Sequence, residues 1–130
     1  MHDPLQDLAR QSGRYQVEAF RFLFESLDEA TRLAGKEQAE GLDRHLTGQQ
    51  VLEGLRAHAL RVFGPLAPGV WRRWGVHVSL DWGRVVFLLV DAGLLSRRDE
   101  DRLDDFREDF DFDATFAEAY AVPLPTELRS

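Results

Sequence analysis

Apolar residues recur at helical spacing along most of the first half of this chain, and the pattern breaks at a few well-marked points. Tyr15, Ala19, Phe20, Leu23, Phe24, Leu27, Ala30 and Ala34 follow one another at three- and four-residue intervals, which is one face of an α-helix. Phe22 lies beside this stripe and widens it, so the helix is expected to touch neighbours on two sides. Gly35 is placed to end it. A short helix precedes it: Asp3 and Pro4 form an N-cap followed by proline at the first helical position. Leu5, Leu8 and Ala9 supply its apolar side, and Ser12-Gly13 its end.

Residues 35–46 hold two glycines and little apolar content and read as a surface loop. Thr47 followed three residues later by Gln50 is a capping-box pattern. The helix it opens puts Val51, Leu55, Ala59 and Val62 on one face, with Leu52 and Phe63 beside them, and Gly64-Pro65 stops it. A short helix is expected from Ala67 to Trp74, with Val70, Trp71 and Trp74 as its apolar set. Val76 to Val78 alternates and fits a short extended segment.

The longest apolar run, Val85 to Val90, sits within WGVHVSLDWGRVVFLLVDAGLL, residues 74–95. A six-residue run alone does not separate a buried strand from a helix. Ser79 or Asp81 as cap and Gly93 as stop favour a helix. Its tryptophans are expected to pack, and its apolar run to leave no free face for chemistry. Beyond Ser96, Leu103 and Phe106 are spaced to face inward from a further helix. Phe110, Phe112 and Phe116 stand among acids and are expected to dock on the rest of the domain. The alternative for residues 97–113 is a β wing. The expected fold is mainly α: one domain over residues 1–122 with four to six helices, winged-helix-like if the wing exists, then a flexible tail at 123–130.

Composition narrows the classes of function. The formal charge is −7 over 130 residues, but its distribution says more than its sum. Residues 1–47 carry 9 acids and 6 bases, residues 48–98 carry 3 acids and 7 bases, and residues 99–130 carry 11 acids and 3 bases. A basic middle thus precedes a strongly acidic end. The acidic balance argues against a general nucleic-acid binder. No apolar run approaches a membrane span, and no signal peptide is evident. Absence of cysteine removes disulfides, thiolate nucleophiles and Cys-based zinc sites. A cytoplasmic protein with no cofactor is expected.

No phosphate loop, HExxH, GxSxG or dinucleotide fingerprint is present. His45, close to Asp43 and the Thr47 cap, is the histidine best placed for a ligand or base role, although packing against or hydrogen-bonding the helix start is the simpler and favoured account of it. No two histidines have the spacing of a same-face metal pair. Asp109, Asp111 and Asp113 have the alternation of a calcium loop, but Ala114 and Tyr120 stand where that loop needs glycine and glutamate. The run from Asp99 to Asp113 has nine carboxylates in fifteen residues. It reads as a solvated face, or as a surface that pairs with the basic middle or with a basic partner. Trp71, Trp74 and Trp82, near Arg72, Arg73 and Arg84, would be interface anchors or stacking platforms if exposed. At helical positions beside glycines they are more often core.

Several dispersed pieces together resemble a small family of uncharacterised bacterial proteins of about this length. These are Arg14-Tyr15 with Ala19-Phe20 and Phe22, His45-Leu46-Thr47-Gly48-Gln49, Gly54, Phe63-Gly64, Trp74-Gly75, Asp81-Trp82-Gly83 with Val86-Phe87, Gly93, Asp104-Asp105-Phe106 and Asp111-Phe112. Trp82 departs from the phenylalanine expected there. The resemblance spans residues 14 to 116 and implies no activity. It marks His45, Asp81 and Asp105 for mutation.

Three readings of function follow. The leading one is a non-catalytic module acting on another protein or on itself. Nucleic-acid binding by the basic middle, with the acidic end as competitor, is the second. A metal-dependent enzyme using His45 and nearby carboxylates is the third. The residues singled out for binding are His45, Arg72, Arg73, Asp81, Trp82, Asp104 and Asp105.

Overall fold

A computed structural model describes residues 3–39 and 46–95. Five α-helices make up most of them: α1 (Pro4–Ser12), α2 (Val17–Leu33), α3 (Gly48–Phe63), α4 (Ala67–Arg73) and α5 (Ser79–Asp91). A 3-10 turn, Gly64–Leu66, joins α3 to α4. No strand occurs among the described residues. The mainly α expectation holds, and Val76–Val78 is a connector without a partner strand. The proposed wing, the tail and the helix after Ser96 lie outside the described residues.

The caps follow the sequence closely. Asp3 accepts from the Leu5 N–H at 3.0 Å, which ties down one of the orphan donors at the start of α1. At α3 both halves of the capping box are present: Gln50 N–H donates to Thr47 Oγ1 at 3.1 Å, and Thr47 N–H to Gln50 Oε1 at 2.9 Å.

α2 and α3 pack closely because Gly54 lies against Ala30. A Cβ on Gly54 would sit 2.5 Å from Ala30 Cβ and 2.7 Å from Ala30 Cα. The helices meet there with no room for a methyl group. Around this contact, Leu23, Leu55, Ala59 and Leu89 are fully buried. A Leu buried from water contributes about 1.5–3 kcal/mol.

The aromatic residues form the second half of the core. Phe22 stacks on His58 of α3 with centroids 4.6 Å apart and on Phe63 at 5.7 Å. It also reaches Trp71 and Trp74 at the other end of the connector, and Trp82 of α5. Trp71 and Trp82 meet edge to face at 5.2 Å, the arrangement that ring quadrupoles favour. Phe22 therefore contacts several neighbours, as its position beside the main stripe predicted. Trp82 is fully buried and offers no surface for stacking, which corrects its place among the expected binding residues.

Of the two residues expected to cap α5, Asp81 does so and Ser79 does not. Ser79 is the first helical residue, and its buried hydroxyl has no hydrogen-bond partner among the described residues. The N-cap is Val78, whose side chain has no acceptor, so Asp81 carries the cap from inside the first turn. The far side of α5 differs from expectation. Ser79, Trp82, Val85, Val86 and Leu89 face the core, but Phe87 is 48 % exposed and Leu88 is half-buried. The run Val85–Val90 thus keeps one apolar face open to solvent.

Candidate functional site

The sequence places a single carboxylate in the first turn of α5, and the fold buries it completely. Asp81 is held from three segments. The Tyr15 hydroxyl donates to Oδ1 at 2.7 Å, and the Arg84 guanidinium, one turn further along α5, donates to the same oxygen at 3.0 Å. Arg14 Nη2 lies 3.2 Å from that oxygen as well. Oδ2 accepts the backbone N–H groups of His77 at 2.8 Å and Val78 at 3.1 Å.

Local chemistry explains why Arg14 and Tyr15 are there. Ser12 Oγ donates to the Ala9 carbonyl at 2.7 Å and accepts from the N–H of Arg14 at 3.3 Å and of Tyr15 at 3.2 Å. The chain leaves α1 as a tight turn, and α2 begins only at Val17. Tyr15, which the sequence pattern assigns to the helical stripe, is the buried side chain of this link. The Gln16 N–H donates to the Trp74 carbonyl at 3.0 Å. Gly75 lets the two backbones meet: its φ is +97°, and a Cβ would lie 2.3 Å from the Arg14 carbonyl oxygen. Arg14 also lies over the Tyr15 ring, 5.5 Å from its centroid.

The network sets the ionisation of both acids. Burial pushes the Asp81 carboxyl up, but the Tyr15 hydroxyl, the two backbone N–H groups and Arg84 outweigh it and hold the group below the ordinary carboxylate value. For Tyr15, burial and then the Asp81 carboxylate raise the phenol to about 12. The two shifts bracket a pH window. Tyr15 ionises near 10 in the unfolded chain and about 12 in the folded one. Its contribution is complete below pH ~10 and is lost as the pH rises towards 12, by about 2–3 kcal/mol. Asp81 acts oppositely: its contribution is complete above the unfolded carboxylate's ~3.9 and is lost as the pH falls through the folded value. Urea unfolding of the wild type and Tyr15→Phe between pH 8 and 12 checks the alkaline arm. The wild type should lose its advantage over the variant across that range. A constant difference would show that the phenol is not held by the carboxylate.

Beside the network, a groove of about 230 Å³ is lined by Ser12, Arg14, Tyr15, Arg84, Phe87 and Leu88. Its floor is apolar and aromatic, and its rim carries two guanidinium groups that share one carboxylate oxygen. Two positive charges against one negative leave a net positive rim. A second polar cluster lies between α2 and α3, where Glu29 is paired with Arg32 and with Arg61 at 3.1 Å. The Arg32 and Arg61 guanidinium groups hold Glu29 below the usual carboxylate range, against a smaller effect of burial. This cluster joins two helices.

Of the residues singled out from sequence, Asp81 is the centre of the network. Arg72 and Arg73 are exposed at the end of α4. His45, Asp104 and Asp105 lie outside the described residues. Among the described residues, no three His, Asp or Glu side chains converge as a metal site, and no helix is long and apolar enough to cross a membrane. Arg14, Tyr15, Arg84 and Phe87 were not singled out as site residues. The visible signals were Ser12-Gly13 immediately before Arg14-Tyr15, and Arg84 three residues after Asp81. Comparisons with protein-family models, with curated proteins and with solved structures find no match.

Proposed function

We propose that the chain is a non-catalytic cytoplasmic docking module whose groove receives an acidic peptide segment bearing an aromatic side chain. The observation that carries this reading is the 48 % exposure of Phe87 beside the two arginines. An aromatic side chain in the partner would cover Phe87 and Leu88, and a carboxylate would meet the surplus positive charge of the rim. Asp81 serves as the clamp that holds both arginines in place. Its lone pairs are taken by five donors and it has no exposed surface, so it supports the groove and does not react. Arg14-Tyr15, Trp74-Gly75 and Asp81-Trp82-Gly83 are the segments that meet at the clamp.

Site-specific photo-cross-linking tests it. A benzoylphenylalanine replacing Phe87 in the living host should capture peptides that share acidic and aromatic residues. The same group at Leu66, 72 % exposed on the connector between α3 and α4, should not enrich for them. An indistinguishable set of peptides from the two positions would overturn the reading.

A further inference from the structure

The chain itself contains a segment of the chemistry that the groove fits. We infer that residues 104–112, DDFREDFDF, occupy this groove in the same molecule, so that a partner must displace them. The inference rests on the docking function proposed above and names its first occupant.

Charge complementarity is the first argument. Arg14 and Arg84 present one uncompensated positive charge over an apolar floor. Residues 104–112 combine five carboxylates with Phe106, Phe110 and Phe112, and contain only Arg107 as a base. Acid and aromatic residues alternate there closely enough for one phenylalanine to enter the groove while neighbouring carboxylates stay at its rim. The alternation continues more sparsely through Asp113, Phe116, Glu118 and Tyr120, and residues 104–112 are its densest part.

Reach is the second. The described chain leaves α5 with the Leu94 N–H donating to the Leu89 carbonyl at 2.8 Å and the Leu95 N–H donating to the same oxygen at 3.2 Å. These bonds wrap the chain around the end of the helix. Leu88, on the groove floor, is seven residues before Leu95, about 10 Å along a helix. Phe106 is eleven residues after Leu95, a span of up to ~36 Å when extended. The segment reaches the groove with slack, and so short a tether sets an effective concentration on the order of millimolar. A contact too weak to form between separate molecules is then populated within one.

The chain has no cysteine, so Ala114→Cys accepts a single nitroxide just beyond the proposed contact. In the full-length 15N-labelled protein, the amides of Ser12, Gly13, Arg14 and Tyr15 should lose more than half their intensity relative to the reduced spin label. These residues are far from position 114 in sequence, so proximity along the chain cannot cause the loss. Adding Phe87→Asp should restore the intensity. Full intensity at Ser12–Tyr15 without that substitution overturns the inference, as does broadening that survives it. Broadening in a mixture of 14N spin-labelled and 15N unlabelled chains also overturns it, because the contact then joins two copies. If Ser12–Tyr15 stay sharp while position 87 still captures acidic, aromatic peptides, the docking function stands and only the internal contact falls. Failure of both experiments removes both.

Discussion

Asp81→Ala should cost about 3–4 kcal/mol of folding stability, measured by urea unfolding at pH 7. The loss has three sources. The Tyr15 hydroxyl, nearly inaccessible to water, loses its only described acceptor, and a buried unsatisfied hydroxyl costs about 1–3 kcal/mol. The first turn of α5 loses the acceptor for His77 and Val78, comparable to removing an N-cap at ~1 kcal/mol. The two arginine pairs add less, because both guanidinium groups are 40 % or more exposed and water replaces the carboxylate. Domains of this size are stable by only about 5–15 kcal/mol, so the variant should unfold at much lower urea. A loss below ~1 kcal/mol would show that the five donors find other partners easily.

Gly75→Ala should cost about 3 kcal/mol for a different reason. The residue sits at φ +97°, where a side chain clashes with its own backbone, a strain of about 1–2 kcal/mol. The added methyl would also lie 2.3 Å from the Arg14 carbonyl oxygen and 3.3 Å from Tyr15 Cδ1. A backbone atom cannot swing aside as a side-chain end can, so relief requires the Ser12–Gln16 link to move away from the α4–α5 connector. That movement draws Tyr15 off Asp81 and typically costs a further 1–3 kcal/mol. Besides a lower urea midpoint, the variant should show its Tyr15 phenol ionising closer to 10. Wild-type stability with an unchanged phenol would mean that the close approach at Gly75 is not needed to form the clamp.

Much of this fold was legible in the sequence because the signals were local. Asp3-Pro4, Thr47 with Gln50, Gly64-Pro65 and the stripe from Ala19 to Ala34 each act within one helix turn, and the helices follow them. The clamp was less legible because its parts come from residues 66 apart. Tyr15 fits the helical stripe by spacing, and only the turn built on Ser12 removes it from the helix. Asp81 stood out as a cap, yet nothing in its neighbours indicated that a tyrosine and a second arginine would meet it. Phe87 was concealed for a related reason. Periodicity reports that a run is apolar, but a run apolar on every side gives no hint of which face the fold leaves open. Trp82 was misassigned as a binding residue because tryptophan near arginine has the same appearance whether it lies in a core or on a surface.

Asp81 is fully buried and Phe87, about a third of a turn around α5 from it, is 48 % exposed; in the proposed function the first maintains the fold and the second meets the partner. The most direct test compares the thermal unfolding of Phe87→Asp and Asp81→Ala with that of the wild type, alongside the nitroxide experiment. Phe87→Asp should melt within a few degrees of the wild type while the groove contact disappears. Asp81→Ala should melt at least ~10 °C lower. Equal loss in both variants, or a Phe87→Asp protein that keeps the contact, would contradict the separation of clamp from docking surface.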